Sequence, residues 1–212
     1  MKRIILVGAR ADGQAGVVLD IAREFGLFEV VGFLDDNASL HDTCVLGLRV
    51  FGGVADAVQV AREQNIDGFH LCIGDNTFRE KCFRMIVSAG LNVVNVIHPS
   101  AVVSKSCVLG CGVFIGPGVV LTHNVQVGDN VIINTASTVD HDNVLEDGVF
   151  LGPGCHLAGR VKVRRGAFLG TGAAVIPDVV VGEYAVVGAG AVVIREVVAR
   201  TKVVGVPANR VI

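Results

Sequence analysis

From Ile97 to Val193 every sixth residue is aliphatic without a break, a run that includes Ile115, Leu121, Ile133, Val139, Leu145, Leu157, Val175 and Val187. A period of six fits neither an isolated helix nor a flat strand, whose side chains recur at about 3.6 and 2 residues. It fits a parallel β-helix. Each hexad lays down one short strand and one corner, three hexads complete a coil, and the recurring aliphatic side chain points into a triangular prism. The residue two before each aliphatic is mostly small, as at Ala101, Cys107, Ser137, Cys155, Ala167 and Ala185, which suits a tight corner. Glycine follows the aliphatic residue at Gly110, Gly116, Gly128, Gly152, Gly170, Gly182 and Gly188, where the spacing predicts a sharp turn with positive φ.

The first 96 residues follow a different rule, alternating strand and helix signals. Strands are predicted at 4–7, 30–34, 68–73 and 91–97, and helices at 16–25, 54–64 and 77–88, the last closed by Gly90. Such alternation predicts a small parallel βαβ sheet of Rossmann-like type covered by helices, with ligands at the carboxyl ends of its strands. His98-Pro99-Ser100 marks the junction. The predicted organisation is therefore an α/β domain over 1–97 and an all-β parallel β-helix over 98–212.

Composition narrows the class of function. The formal charge is −2, there is no basic run, and one Tyr with no Trp supplies no base-stacking platform, so nucleic acid is not an expected partner. Hydrophobic residues make up 51% of the chain, yet no apolar run approaches the roughly 20 residues that span a bilayer. Met1-Lys2-Arg3 before Ile4–Val7 resembles a signal peptide only superficially, because the apolar run gives way at once to a glycine-containing loop. The reading is a first strand in a cytoplasmic protein. Six cysteines form no CxxC pair, Cys107 and Cys155 fall at small inward positions of the repeat, and buried reduced thiols are expected.

The repeat is least regular in its middle. From Ile133 to Asn143 polar residues replace the usual glycines and small corner residues, which costs stability unless function keeps them. His141 alone among the histidines has carboxylates on both sides, Asp140 and Asp142. A carboxylate holding one ring nitrogen leaves the other as a base, but a solvated histidine beside two solvated acids has the same sequence. His123 lies eighteen residues earlier, hence one coil away at the same corner. With His156 it would suggest zinc, except that His156 falls at another phase of the hexad, so no metal is expected.

In the amino-terminal half, the loop Gly8–Gly16 follows a strand and opens a helix, where backbone N–H groups favour a phosphate. Its glycines miss the GxGxxG spacing of redox dinucleotide sites. Asp35 and Asp36 end the second predicted strand, positioned to accept from a ribose or base or simply to form a solvated turn. Gly74-Asp75-Asn76 ends a later strand at the same face.

Taken together, the Gly-rich loop, Phe33-Leu34-Asp35-Asp36, Ile73–Asn76, His98-Pro99, Asn134–Ser137 with Val139–Asp142, Gly152-Pro153-Gly154, Leu157-Ala158-Gly159 and Gly205–Ala208 resemble the hexapeptide-repeat acetyltransferases that modify nucleotide-linked amino sugars. The loop departs from the common pattern, since Arg10-Ala11-Asp12 lengthens it and Gln14 stands where a histidine is frequent. The resemblance implies a left-handed β-helix, a homotrimer with active sites in the grooves between prisms, and acetyl-CoA as co-substrate. It also implies that the first domain holds the nucleotide and directs the sugar's amine toward His141. His141 is then the general base and Asp142 the group that orients it. Asn134 and His123 lie near the sugar, while Gly13, Gln14, Ala15, Asp35 and Asp36 belong to the nucleotide-sugar site. Phe150, Thr171 and Ala189 contact acetyl-CoA, and the Gly159 amide is an oxyanion donor. The favoured acceptor is a GDP-linked dideoxy 4-amino sugar. Alternatives are a UDP-linked 4-amino sugar, a sugar hydroxyl as in sialic acid O-acetyltransferases, a zinc hydratase and a non-catalytic scaffold.

Overall fold

The computed structural model describes residues 1–211 and divides into two compact units, Met1–Val96 and a second that begins at Ile97. Ile212, with which the predicted second domain ends, lies outside the described residues.

In the first unit, β1 (Lys2–Val7) buries Ile4–Val7 completely and forms the centre of a three-stranded sheet. Helix α1 (Gln14–Phe25) starts two residues before the predicted position, buries Ala15, Val18, Leu19, Ile21 and Ala22 on one face, and ends at Gly26 with φ 59°. β2 (Phe28–Leu34) pairs in parallel with β1. A hairpin not anticipated from the sequence follows, β3 (Cys44–Val45) and β4 (Leu48–Arg49). Its turn places Leu46 at φ 49° and Gly47 at φ 78°. Two positive φ values are what a two-residue hairpin turn requires, and a leucine in the first place conceals the signal.

The predicted helix 54–64 is two pieces, a 3-10 turn Val54–Asp56 and then α2 (Ala57–Glu63), with the Gly53 N–H donating to the Asp56 carboxylate at 2.9 Å. β5 (Gly68–Leu71) pairs with the other edge of β1, and α3 (Asn76–Ser88) is capped by Asp75, which accepts from the Phe78 N–H at 2.7 Å. The predicted strand 91–97 survives only as a parallel bridge between Val93 and Phe69 and the two-residue strand Val96–Ile97. The core of this unit joins Ile5, Val7, Leu34, Val60, Phe69, Leu71, Cys82 and Ile86.

The second unit is a parallel β-helix of two-residue strands. Face I runs from Val96–Ile97 through Phe114–Ile115 to Val186–Val187, face II from Val102–Val103 to Val192–Val193, and face III from Val108–Leu109 to Val180–Val181. Each strand pairs with the one eighteen residues on, as in Val120↔Thr138↔His156. The aliphatic series and the small residues two before it share the interior. The first coil, with Ile97, Val103 and Leu109, is only partly buried. Lys202–Val204 closes the solenoid, pairing in parallel with Val186–Val187 and antiparallel with Asn209–Arg210.

The turning residues are not those predicted. Positive φ recurs at every sixth position from Gly112 to Gly190, two residues beyond Gly110, Gly116, Gly128, Gly152, Gly170, Gly182 and Gly188, and half of these positions are not glycine, among them Asn124, Ala136, Asp142 and Arg160. Gly170 and Gly182 serve coil stacking instead. A Cβ on Gly170 would come within 2.7 Å of the Ala189 nitrogen, and one on Gly182 within 2.5 Å of the Ala199 nitrogen.

Candidate active site

The edge between faces II and III carries residues 104–107, 122–125, 140–143 and 158–161 on successive coils, and the unusual polar residues gather there. His141 follows the inward-pointing Val139 by two residues, and its side chain and that of Asp142 are each 43% exposed. His141 Nδ1 lies 2.9 Å from Asp142 Oδ2. A carboxylate only accepts, so Nδ1 carries the proton and Nε2 presents its lone pair. Asp142 occupies the left-handed corner position, φ 58°, one that aspartate and asparagine tolerate better than most residues.

Its second oxygen accepts from Asn124 Nδ2 at 2.7 Å, and the hydrogen bonds from Asn124 first and His141 second hold the Asp142 carboxyl below the usual carboxylate range. Asn124 was not among the expected site residues. The signal for it is the eighteen-residue step that also relates His123 to His141. His123 lies one coil below His141, its carbonyl accepting from the Asp142 N–H at 2.9 Å and its Nδ1 3.2 Å from the Ser106 hydroxyl. On the other side, Asp140 Oδ1 accepts from the His141 N–H at 2.8 Å and the Thr122 hydroxyl at 3.1 Å.

Gly159 lies one coil above. A Cβ there would stand 2.5 Å from His141 Nε2, so the imidazole rests directly on this glycine. Among the described residues the Gly159 N–H meets no acceptor, although its carbonyl accepts from Asp178. A lone pair on Nε2 beside a free amide N–H is an arrangement that removes a proton from a nucleophile and stabilises an oxyanion.

The first unit holds a separate cavity of about 330 Å³ at the carboxyl ends of its strands, lined by Gly8, Arg10, Asp35, Asp36, Leu40, Val54, Ile73, Gly74, Asp75 and Phe78 among others. Asp35 spends both oxygens on the loops, accepting from the Ala9 N–H at 2.7 Å and the Asn37 N–H at 2.8 Å. Asp36 Oδ1 accepts from the Val54 N–H at 2.8 Å. Gly13 precedes α1 as its N-cap, Gln14 and Ala15 begin the helix, none of the three is in this lining, and the Ala15 side chain is fully buried.

Residues 3–86 match the PglD N-terminal domain family, and residues 106–141 and 160–195 match the bacterial transferase hexapeptide (six repeats) family. A histidine-to-asparagine variant of perosamine N-acetyltransferase from Caulobacter crescentus, crystallised with CoA and GDP-perosamine, is 39% identical over 100% of this chain and 97% of its own, with a TM-score of 0.91. This chain belongs to the hexapeptide-repeat acetyltransferases. The acetyltransferase domain of PglB from Neisseria gonorrhoeae FA1090 is 29% identical with a TM-score of 0.91, and WeeI from Acinetobacter baumannii AYE is 27% identical with a TM-score of 0.86, each covering 100% of both chains. A curated relative, uncharacterized protein L142 of Acanthamoeba polyphaga mimivirus, is 30% identical over 123 residues, 58% of this chain and 23% of its own length.

The other expected acetyltransferase residues do not sit on the His141 edge within one chain. Asn134 is on the edge between faces I and II, its Oδ1 accepting from the Thr135 N–H at 2.8 Å. Thr171 and Ala189 stack on that same edge, whereas Phe150 lies on flat face I, stacked on Phe168 with ring centroids 4.9 Å apart. His156 is on face II, its Nδ1 2.9 Å from the Thr138 hydroxyl, which separates it from the other two histidines. Among the described residues no three His, Cys, Asp or Glu side chains converge to hold a metal ion. Arg164 pairs with Glu146 at 2.6 Å. Cys155 is buried, its Sγ donating to the Gly170 carbonyl at 3.2 Å, and burial pushes its thiol up to about 11, which leaves little thiolate to act as a nucleophile.

Proposed function

We propose that this acetyltransferase moves the acetyl group of acetyl-CoA onto the 4-amino group of a nucleotide-linked dideoxy amino sugar, GDP-perosamine, by direct attack. The observation that carries this reading is the His141–Asp142 pair at 2.9 Å with, beside Nε2, the Gly159 amide that meets no acceptor among the described residues. The Caulobacter relative, crystallised with both CoA and GDP-perosamine, supports the choice of substrates.

An ammonium group has no lone pair with which to attack a thioester. His141 Nε2 therefore accepts a proton as the sugar nitrogen adds to the acetyl carbonyl, and Asp142 steadies the imidazolium that forms. The Gly159 N–H donates to the carbonyl oxygen as it becomes an oxyanion. Collapse expels the coenzyme A thiolate, to which the imidazolium returns the proton. No acyl-enzyme is needed.

The amino-terminal cavity with Asp35 and Asp36 receives the nucleotide. The working form is a cytoplasmic homotrimer, where acetyl-CoA and nucleotide sugars are made. The placement of Asn134, Thr171 and Ala189 on another edge supports the trimer, because a neighbouring copy can bring that edge to His141. The test is release of free thiol from acetyl-CoA with GDP-perosamine or a UDP-linked 4-amino sugar as acceptor. Turnover with the GDP sugar, lowered by about 10²- to 10⁴-fold in His141→Asn, is expected. Preference for the UDP sugar would reassign the nucleotide, and turnover only with hydroxyl acceptors would replace N- by O-acetylation.

A further inference from the structure

The position two before each periodic aliphatic residue is apolar or small around most of the solenoid, but at 143 it is asparagine, fully buried in the interior. One coil below and one coil above on the same edge the equivalent residues are Val125 and Val161. Asn143 Nδ2 donates to the carbonyls of Asp140 at 2.7 Å and Ala158 at 2.8 Å. Its Oδ1 has no partner among the described residues, a desolvation cost that valine would not carry.

Other polar residues of this series hold one corner carbonyl fifteen residues ahead: Ser137 donates to Gly152 at 3.0 Å and Cys155 to Gly170 at 3.2 Å. Asn143 holds two at short range, in adjacent coils, with the His141 carbonyl a longer third at 3.4 Å, and the two short ones belong to peptides of the site. The Ala158 carbonyl shares its plane with the Gly159 N–H, and the Asp140 carbonyl shares its plane with the His141 N–H. In a trans peptide the N–H points opposite to the C=O. A carbonyl drawn inward onto a buried side chain therefore turns its N–H outward, and for Gly159 that is the side on which His141 lies.

We infer that Asn143 is a positioning residue that aims the Gly159 amide at the reacting carbonyl and locks it to the coil carrying His141. The inference rests on the acetyl-transfer reading above. Because Val125 and Val161 fill the same place, Asn143→Val should fold with an unchanged or raised melting temperature. It should lower kcat by about 10- to 100-fold, less than or comparable to removing an oxyanion donor outright, while KM for both substrates stays within about two-fold. Asn143→Ser, which keeps one donor as at Ser137, should recover most of the rate.

In protein labelled with 15N-glycine, the Gly159 amide resonance should shift in Asn143→Val and return toward its original place in Asn143→Ser. A wild-type kcat in a folded Asn143→Val, or a rate loss that merely follows a fall in melting temperature, overturns the inference. Wild-type protein silent toward every acceptor overturns the acetyl-transfer reading, and the Gly159 resonance then decides the inference alone. If that resonance is unmoved in Asn143→Val, Asn143 does not position it.

Discussion

At the residue scale the proposed chemistry depends on a glycine as much as on a histidine. Gly159 has no side chain because the His141 imidazole occupies the space, and a methyl group there would meet Nε2 at 2.5 Å. Gly159→Ala should therefore push the ring off its place and lower kcat by about 10²-fold or more while the protein stays folded, measured by thiol release beside circular dichroism. The proton inventory of the site gives a second expectation. In the proposed mechanism Asp142, held below the usual carboxylate range by Asn124 and His141, should stay ionised across the plateau of the kcat/KM profile. Asn124→Ala removes the first of those supports. It should appear as a plateau lower by about 3- to 10-fold, and an unchanged plateau would exclude Asn124 from the pair's alignment. The pairing of His141 with Asp142 was legible in the sequence because two acids flank one histidine where the repeat is interrupted. Asn124 and Asn143 were not, since each acts across a coil of eighteen residues and shows its partner only once the coils are stacked.

At the scale of elements, periodicity located most strands and helices, and the failures have local causes. The hairpin at Cys44–Arg49 hid behind a leucine with positive φ, and the predicted strand after Gly90 reduced to a bridge at Val93 and two residues at Val96–Ile97. Strand β5 also carries a group that sequence reading passed over. His70 is fully buried, its Nδ1 donates to the Val94 carbonyl at 2.9 Å, and burial pushes its pKa down from 6.5 to about 4. The unfolded chain thus binds a proton that the folded one refuses. The stability contributed by neutral His70 is fully present above pH 6.5 and is lost as pH falls toward 4. Between pH 7 and 4.5 the loss should be on the order of 2 to 3 kcal/mol. Denaturant titrations at the two pH values should show it, and His70→Asn, which keeps a donor for Val94, should show markedly less. Equal losses in both proteins would place the acid sensitivity elsewhere.

At the scale of the whole molecule, the expectation is a particle of about 66 kDa by light scattering, three copies of a 22.1 kDa chain. A monomer that turns over substrate at full rate would remove the need for a second edge beside His141. The sequence by itself determined the solenoid, because a side-chain period of six needs only one residue type per turn and is satisfied locally by each hexad. It also determined the α/β unit ahead of it, whose apolar runs and helix faces are written in consecutive residues. Tertiary structure alone decided which residue at each corner turns the chain: the backbone there turns at the third residue after the aliphatic, while the glycines at the first yield space to the coil above. It alone separated His141 from Asn134 and placed Gly159 against the imidazole. Both facts follow from stacking, which puts side by side residues eighteen apart and sets on different edges residues only seven apart.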